Sequence, residues 1–151
     1  MNDLSELYQT VILEHNRRPR NYQVLPAANR MGSGNNPLCG DEVTVYVKLD
    51  GDKIADISFQ GSGCAISQAS ASLMTVNLKG KTIAEAEAIA GDVHKLIVSG
   101  EIKGDEFSDL SALAGVHQFP ARIKCATLSW HAAINAVKGD PTTATTEKTS
   151  D

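Results

Sequence analysis

Four side chains in three separated stretches of this 151-residue chain have the chemistry to share one metal ion. Cys39 and Asp41 lie in Asn36-Pro37-Leu38-Cys39-Gly40-Asp41, Cys64 in Gly61-Ser62-Gly63-Cys64-Ala65-Ile66, and Cys125 in Arg122-Ile123-Lys124-Cys125-Ala126. Three thiolates and a carboxylate form a full tetrahedral set for a zinc-sized ion. An odd number of cysteines cannot all close into intramolecular pairs. The separations are long, with 24 residues between Cys39 and Cys64 and 60 between Cys64 and Cys125. No Cys-x-x-Cys knuckle is present, so spacing alone is a weak metal signal. Taken singly, each cysteine reads as a small apolar core residue, and Asp41 as a turn or strand-edge carboxylate.

The elements that must bring these groups together are legible from hydrophobic period. Val43, Val45 and Val47 alternate with Thr44, Tyr46 and Lys48, which predicts a half-buried strand over Glu42 to Leu49. Asp50-Gly51-Asp52 is a hairpin turn signal, and Ile54 to Gln60 alternates again. In an antiparallel hairpin the start of one strand neighbours the end of its partner. Cys39, Asp41 and Cys64 are therefore expected at one end of the sheet. Cys125 joins them if the last helix docks its first turns there.

Elsewhere, Leu4, Leu7, Tyr8, Val11 and Ile12 predict an amphipathic helix from Leu4 to His15, and Arg30 to Asn35 an edge strand. Cys64 to Leu78 reads as a second helix. Thr82-Ile83-Ala84-Glu85 is a capping box that opens a third, running to about Leu96 or Val98, with Gly91 a point of interruption. A linker is expected over 100–104 and a short helix around Phe107, Leu110 and Leu113. The last helix has a predicted buried stripe of Ile123, Thr127, Trp130, Ile134 and Val137. The threonine-rich stretch 139–151 reads as a disordered tail, leaving 1–138 as one domain. The order of elements predicts an α+β fold: a small antiparallel sheet of about three strands with helices packed on one face.

Zinc with three thiolates and a carboxylate leaves a negative centre that needs cations or dipoles nearby. Arg122 and Lys124 lie within a turn of Cys125. Cys64 opens a helix, whose free N–H groups stabilise a thiolate.

Bulk properties narrow the field. A hydrophobic fraction of 42% and a charged fraction of 21% suit a soluble globular domain. A net charge of -4 with no basic run predicts no nucleic-acid partner. No signal peptide and no membrane span is expected. A reducing cytoplasmic setting follows, where cysteines serve as ligands, nucleophiles or core residues.

The motifs resemble the SufU-type zinc-dependent sulfurtransferases, relatives of the IscU and NifU iron–sulfur scaffold domains. The carrying segments are Asn36-Pro37-x-Cys39-Gly40-Asp41, the run from Ile54 through Gly61-x-Gly63-Cys64-Ala65-Ile66 to Ser72, Gly80-Lys81, and Arg122-x-Lys124-Cys125-Ala126-x-Leu128-x-Trp130. Leu7-Tyr8 through His15 and Pro19-Arg20-Asn21 are also similar, so coverage runs from about Leu7 to Val137. Two features choose the branch. Scaffolds of the IscU type usually carry histidine before the last cysteine, where this chain has Lys124. SufU-type chains also carry an insertion before the last helix, matched here by Gly100 to Gln118.

The resemblance implies a zinc ion held by Cys39, Asp41, Cys64 and Cys125, with Cys39 as sulfur acceptor and Arg122 as a catalytic helper. It implies a SufS-type cysteine desulfurase as partner. A histidine of that enzyme displaces Cys39 from zinc, freeing it to attack the persulfide, and sulfur then passes to a SufB-type assembly complex. The alternative is an iron–sulfur cluster scaffold of the IscU type, with iron or a cluster at the same site. A third reading makes zinc a purely structural cross-link.

Other signals carry less. Gly61-Ser62-Gly63 lacks the third glycine and the βαβ context of a dinucleotide loop. His15 is expected in a structural hydrogen bond, His94 and His131 on solvated helix faces, and Trp130 in the core.

Overall fold

In a computed structural model, residues 3–37, 40–100, 109–139 and 144–145 are described, the side chains of 3–5, 7, 109, 144 and 145 excepted. Cys39, Phe107, the linker positions 101–104 and most of the tail thus lie outside the described residues. The order is α1 (Asp3–Arg17), β1 (Arg30–Asn36), β2 (Asp41–Asp50), β3 (Lys53–Ser62), α2 (Ala65–Leu78), α3 (Ile83–Ser99), a 3₁₀ helix (Asp109–Gln118), α4 (Pro120–Val137) and β4 (Ala144–Thr145).

The sheet runs β3-β2-β1-β4. Its three long strands are antiparallel, as the alternating valines predict, and Asp50 pairs with Lys53 across the expected turn. Val43, Val45, Val47 and Leu49 share the buried face of β2 and meet Ile57 and Phe59 of β3 in one core. Within the threonine-rich tail, Ala144–Thr145 run parallel to Gly34 and Asn35 at the free edge of β1.

Helices cover one face of the sheet. α4 lies directly on β1, and the contact is tight: a Cβ on Gly32 would collide with the Ala132 carbonyl oxygen. Glycine at that point lets the helix backbone approach the strand. The middle of α4 is buried nearly all round, from Cys125 to Trp130, so its apolar surface is wider than the single stripe the sequence predicts. Trp130 is core, and its indole N–H donates to Ser70 Oγ at 3.0 Å, while the Ser70 hydroxyl donates to the Ala126 carbonyl. This bridge ties α4 to α2.

One expectation needs correction. Gly91 does not interrupt α3; it sits on an exposed face with open space around it, and the helix continues to a left-handed Gly100 cap at φ 75°. The short helix expected around Leu110 and Leu113 is a ten-residue 3₁₀ helix, with Ala112, Leu113 and Val116 buried. No helix of the described residues is long and apolar enough to cross a membrane.

Candidate metal centre

Asn36 and Asp41 are paired across β1 and β2. The Gly40 N–H donates to the Asn36 carbonyl at 2.8 Å beside that pair. Asp41 opens β2 on its inward face and is fully buried. Glu42 pairs with Ser62, so β3 delivers the chain back to the same end of the sheet. Two residues later Cys64 caps α2, and its Sγ accepts the Ser67 backbone N–H at 3.4 Å. A thiolate at a helix N-terminus is stabilised by such free donors.

Asp41 and Cys64 are linked directly. Asp41 Oδ1 accepts the Cys64 backbone N–H at 3.0 Å. The carboxylate occupies the space beside Gly63, where a Cβ would strike it, so only glycine fits. Cys125 arrives on the second turn of α4, fully buried, and its Sγ accepts from Asn36 Nδ2 at 3.5 Å.

The structure thus brings three of the four predicted ligands together: one ligand atom each from Asp41, Cys64 and Cys125 lie within 4.8 Å of one another. Zinc binds sulfur at about 2.3 Å and oxygen at about 2.0–2.2 Å, which puts tetrahedral donors somewhat under about 4 Å apart. Small inward shifts close that gap. The second carboxylate oxygen, Asp41 Oδ2, is buried with no hydrogen-bond partner among the described residues. A buried, unpaired carboxylate oxygen is costly unless a cation compensates it. The residues present therefore fit a thiolate- and carboxylate-bound ion. Cys39, two residues before Asp41 in sequence, lies outside the described residues.

Arg122, in the first turn of α4, is exposed. The phenol of Tyr8 is half-buried and stacks on Phe119, with ring centroids 6.0 Å apart. Burial raises its pKa above 10.0, negative charge at Cys64 raises it further, and Arg122 opposes both. Arg122 and Cys64 thus both act on the Tyr8 phenol. Lys124 is half-buried, one residue before Cys125.

Two participants carry no assigned role in the sequence reading. Asn36 and Gly63 stand inside the motifs, yet neither residue type names a metal ligand; only their packing against Cys125 and Asp41 reveals them. The histidines contribute elsewhere. His15 Nδ1 hydrogen-bonds Ser72 Oγ at 2.7 Å in the α1–α2 interface. His94 and His131 are exposed and meet edge to face with centroids 5.8 Å apart.

Comparison with known proteins supplies the wider frame. Residues 7–139 match the NifU-like N terminal domain family. A Bacillus subtilis protein named zinc-dependent sulfurtransferase SufU is 46% identical over 141 residues, covering 89% of this chain and 92% of that protein. A Streptococcus pyogenes protein named iron–sulfur cluster assembly scaffold protein IscU is 42% identical over 140 residues, covering 91% and 87%. A crystal structure from Fervidobacterium islandicum, described as an iron–sulfur cluster assembly scaffold for the SUF system, superposes with a TM-score of 0.79 at 32% identity, covering 87% of this chain and 97% of that one.

Proposed function

The chain belongs to the NifU-like N-terminal domain family, and from that premise we propose that it is a zinc-dependent sulfurtransferase. It accepts persulfide sulfur from a SufS-type cysteine desulfurase and relays it to iron–sulfur cluster assembly through a SufB-type complex in the cytoplasm. The observation that carries this reading is the asymmetry of the thiols. Cys64 caps a helix and Cys125 is buried in one, each with an N–H donor on its sulfur. The third cysteine, Cys39, stands in sequence between β1 and β2, next to Gly40. Two sulfurs suit permanent ligation, and Cys39 suits a ligand that leaves.

Bound zinc would keep the thiols deprotonated at neutral pH and, being d¹⁰, would take no part in redox chemistry. Asp41, Cys64 and Cys125 would hold the ion, and Cys39 would be the ligand free to react. The Cys39 thiolate attacks the outer sulfur of the desulfurase persulfide. A new S–S bond forms at Cys39, the old one breaks, and the desulfurase cysteine leaves as a thiolate. No external oxidant or reductant is needed. Arg122, exposed and three residues before Cys125, would supply positive charge toward the incoming persulfide.

The name of the Streptococcus relative favours a second reading, a scaffold on which clusters are built. One experiment separates the two. Purified protein is analysed for metal and incubated with desulfurase and cysteine, and Cys39 is examined by mass spectrometry. A colourless protein with one zinc per chain, gaining one sulfur atom at Cys39, supports relay; Cys39→Ala then abolishes stimulation of the desulfurase. Brown, iron-loaded protein, or full stimulation by Cys39→Ala, overturns it.

A further inference from the structure

We propose that Asn36 is a positioning residue for the metal centre: its carboxamide N–H holds the Cys125 sulfur as a hydrogen-bonded thiolate and keeps that ligand fixed and unreactive. The inference rests on the metal-binding reading above and extends it to a residue outside the ligand set.

Asn36 does three things at once. It is the last residue of β1 and pairs with Asp41, the first of β2. Its backbone carbonyl accepts from the Gly40 N–H, just before Asp41. Its side chain, 1% exposed, reaches Cys125 Sγ with Nδ2 at 3.5 Å, across 89 residues of sequence. One residue thereby joins the start of β2 to the α4 thiol.

The other end of the amide sharpens the case. Asn36 Oδ1 is buried with no hydrogen-bond partner among the described residues. An apolar side chain of similar size would fill the space without that penalty. What the amide adds over an apolar group is the N–H directed at sulfur. A hydrogen bond to a thiolate draws electron density from sulfur, lowering its basicity and nucleophilicity. Cys64 receives the same treatment from the Ser67 backbone N–H, which no side-chain substitution removes. Cys125, inside α4, has its nearby backbone N–H groups committed to the helix, so its donor comes from a side chain. Outer partners of this kind orient and tune a metal ligand.

The test uses cobalt in place of zinc in the full chain, because sulfur-to-cobalt charge-transfer bands report the electron density on each thiolate. Asn36→Ala removes the donor and Asn36→Ser retains a hydroxyl donor, with circular dichroism checking the fold of both. Expected are a shift of the charge-transfer band to lower energy in Asn36→Ala and partial return toward the original position in Asn36→Ser. Metal affinity, read by chelator competition, should fall about 10–100-fold in Asn36→Ala. A folded Asn36→Ala protein whose band and affinity match the unaltered protein overturns the inference. If Asn36→Ala does not fold, Asn36→Leu, which approximates the shape, lacks the N–H and adds no charge, is read in the same way. Failure of the unaltered protein to give tetrahedral thiolate bands would instead refute the metal-binding reading itself.

Discussion

The Asp41 carboxylate accepts the backbone N–H of Cys64 through one oxygen and holds the other buried without a partner among the described residues. The first bond locks the start of β2 to the cap of α2, so a carboxylate and a thiol are presented together. On the metal-binding proposal the second oxygen would serve the ion, giving a single side chain a structural half and a ligand half.

Those halves can be separated. Asp41→Asn keeps an oxygen for the Cys64 N–H and removes the buried charge. The metal-free variant should be at least as stable as the metal-free original, while zinc affinity falls about tenfold or more, which is about 1.4 kcal/mol. Asp41→Ala should lose both stability and affinity. Chelator competition and urea denaturation measure the two quantities independently, and unchanged zinc affinity in Asp41→Asn would remove Asp41 from the ligand set.

Gly63 is the companion of this carboxylate. An added Cβ would lie 2.9 Å from Asp41 Cγ and closer still to Oδ1. Gly63→Ala should cost about 1–3 kcal/mol through overpacking and also weaken metal binding by displacing the carboxylate. The cost should shrink in an Asp41→Ala background, because the obstructing group is gone. A double-mutant cycle by urea denaturation reads that coupling, and strict additivity would contradict the packing argument.

How much of this site was legible beforehand depends on whether local or distant contacts build it. Asp41 and Cys64 flank a hairpin whose alternating valines and Asp50-Gly51-Asp52 turn are local signals, so their meeting follows from strand pairing. The arrival of Cys125 does not. It depends on α4 lying against β1 at Gly32 and on the Trp130–Ser70 bond, contacts that join residues far apart in sequence. Gly91 misleads for a different reason: one exposed glycine costs a helix only about 1 kcal/mol, too little to break 17 residues held by a capping box and by buried Ala86, Val93 and Ile97. β4 pairs over two residues, too few to leave a period in the sequence.

The capping box gives a prediction in pH. The Thr82 backbone N–H and hydroxyl hold the Glu85 carboxyl below its ordinary value of 4.5, helped by Lys81 and Lys53. A carboxylate with a lowered folded pKa stabilises most above the unfolded value and loses that contribution as pH falls through the folded one. Glu85→Gln keeps a capping group without the charge. Its melting temperature should therefore lie below that of the unaltered protein near neutrality, and the gap should close as pH drops below 4.5. A gap constant across that range would show that the charge contributes nothing.

Removing the metal tests whether the ion is a functional ligand or the staple of the fold. The core around Val45, Ile57, Phe59, Leu73 and Leu128 is fully buried and contains none of the candidate ligands. Those contacts do not depend on a bound ion, so the domain should remain cooperatively folded on chelation. Any ion bound only by the native state adds stability by mass action, about 2.7 kcal/mol at a free concentration one hundred times the dissociation constant. For a chain of this size that is a rise in melting temperature of about 5–10 °C. Calorimetry with and without chelator should show a single transition displaced by this amount. Complete unfolding on chelation would make the ion a structural cross-link, and the sulfur-relay reading would lose its requirement for a ligand free to leave.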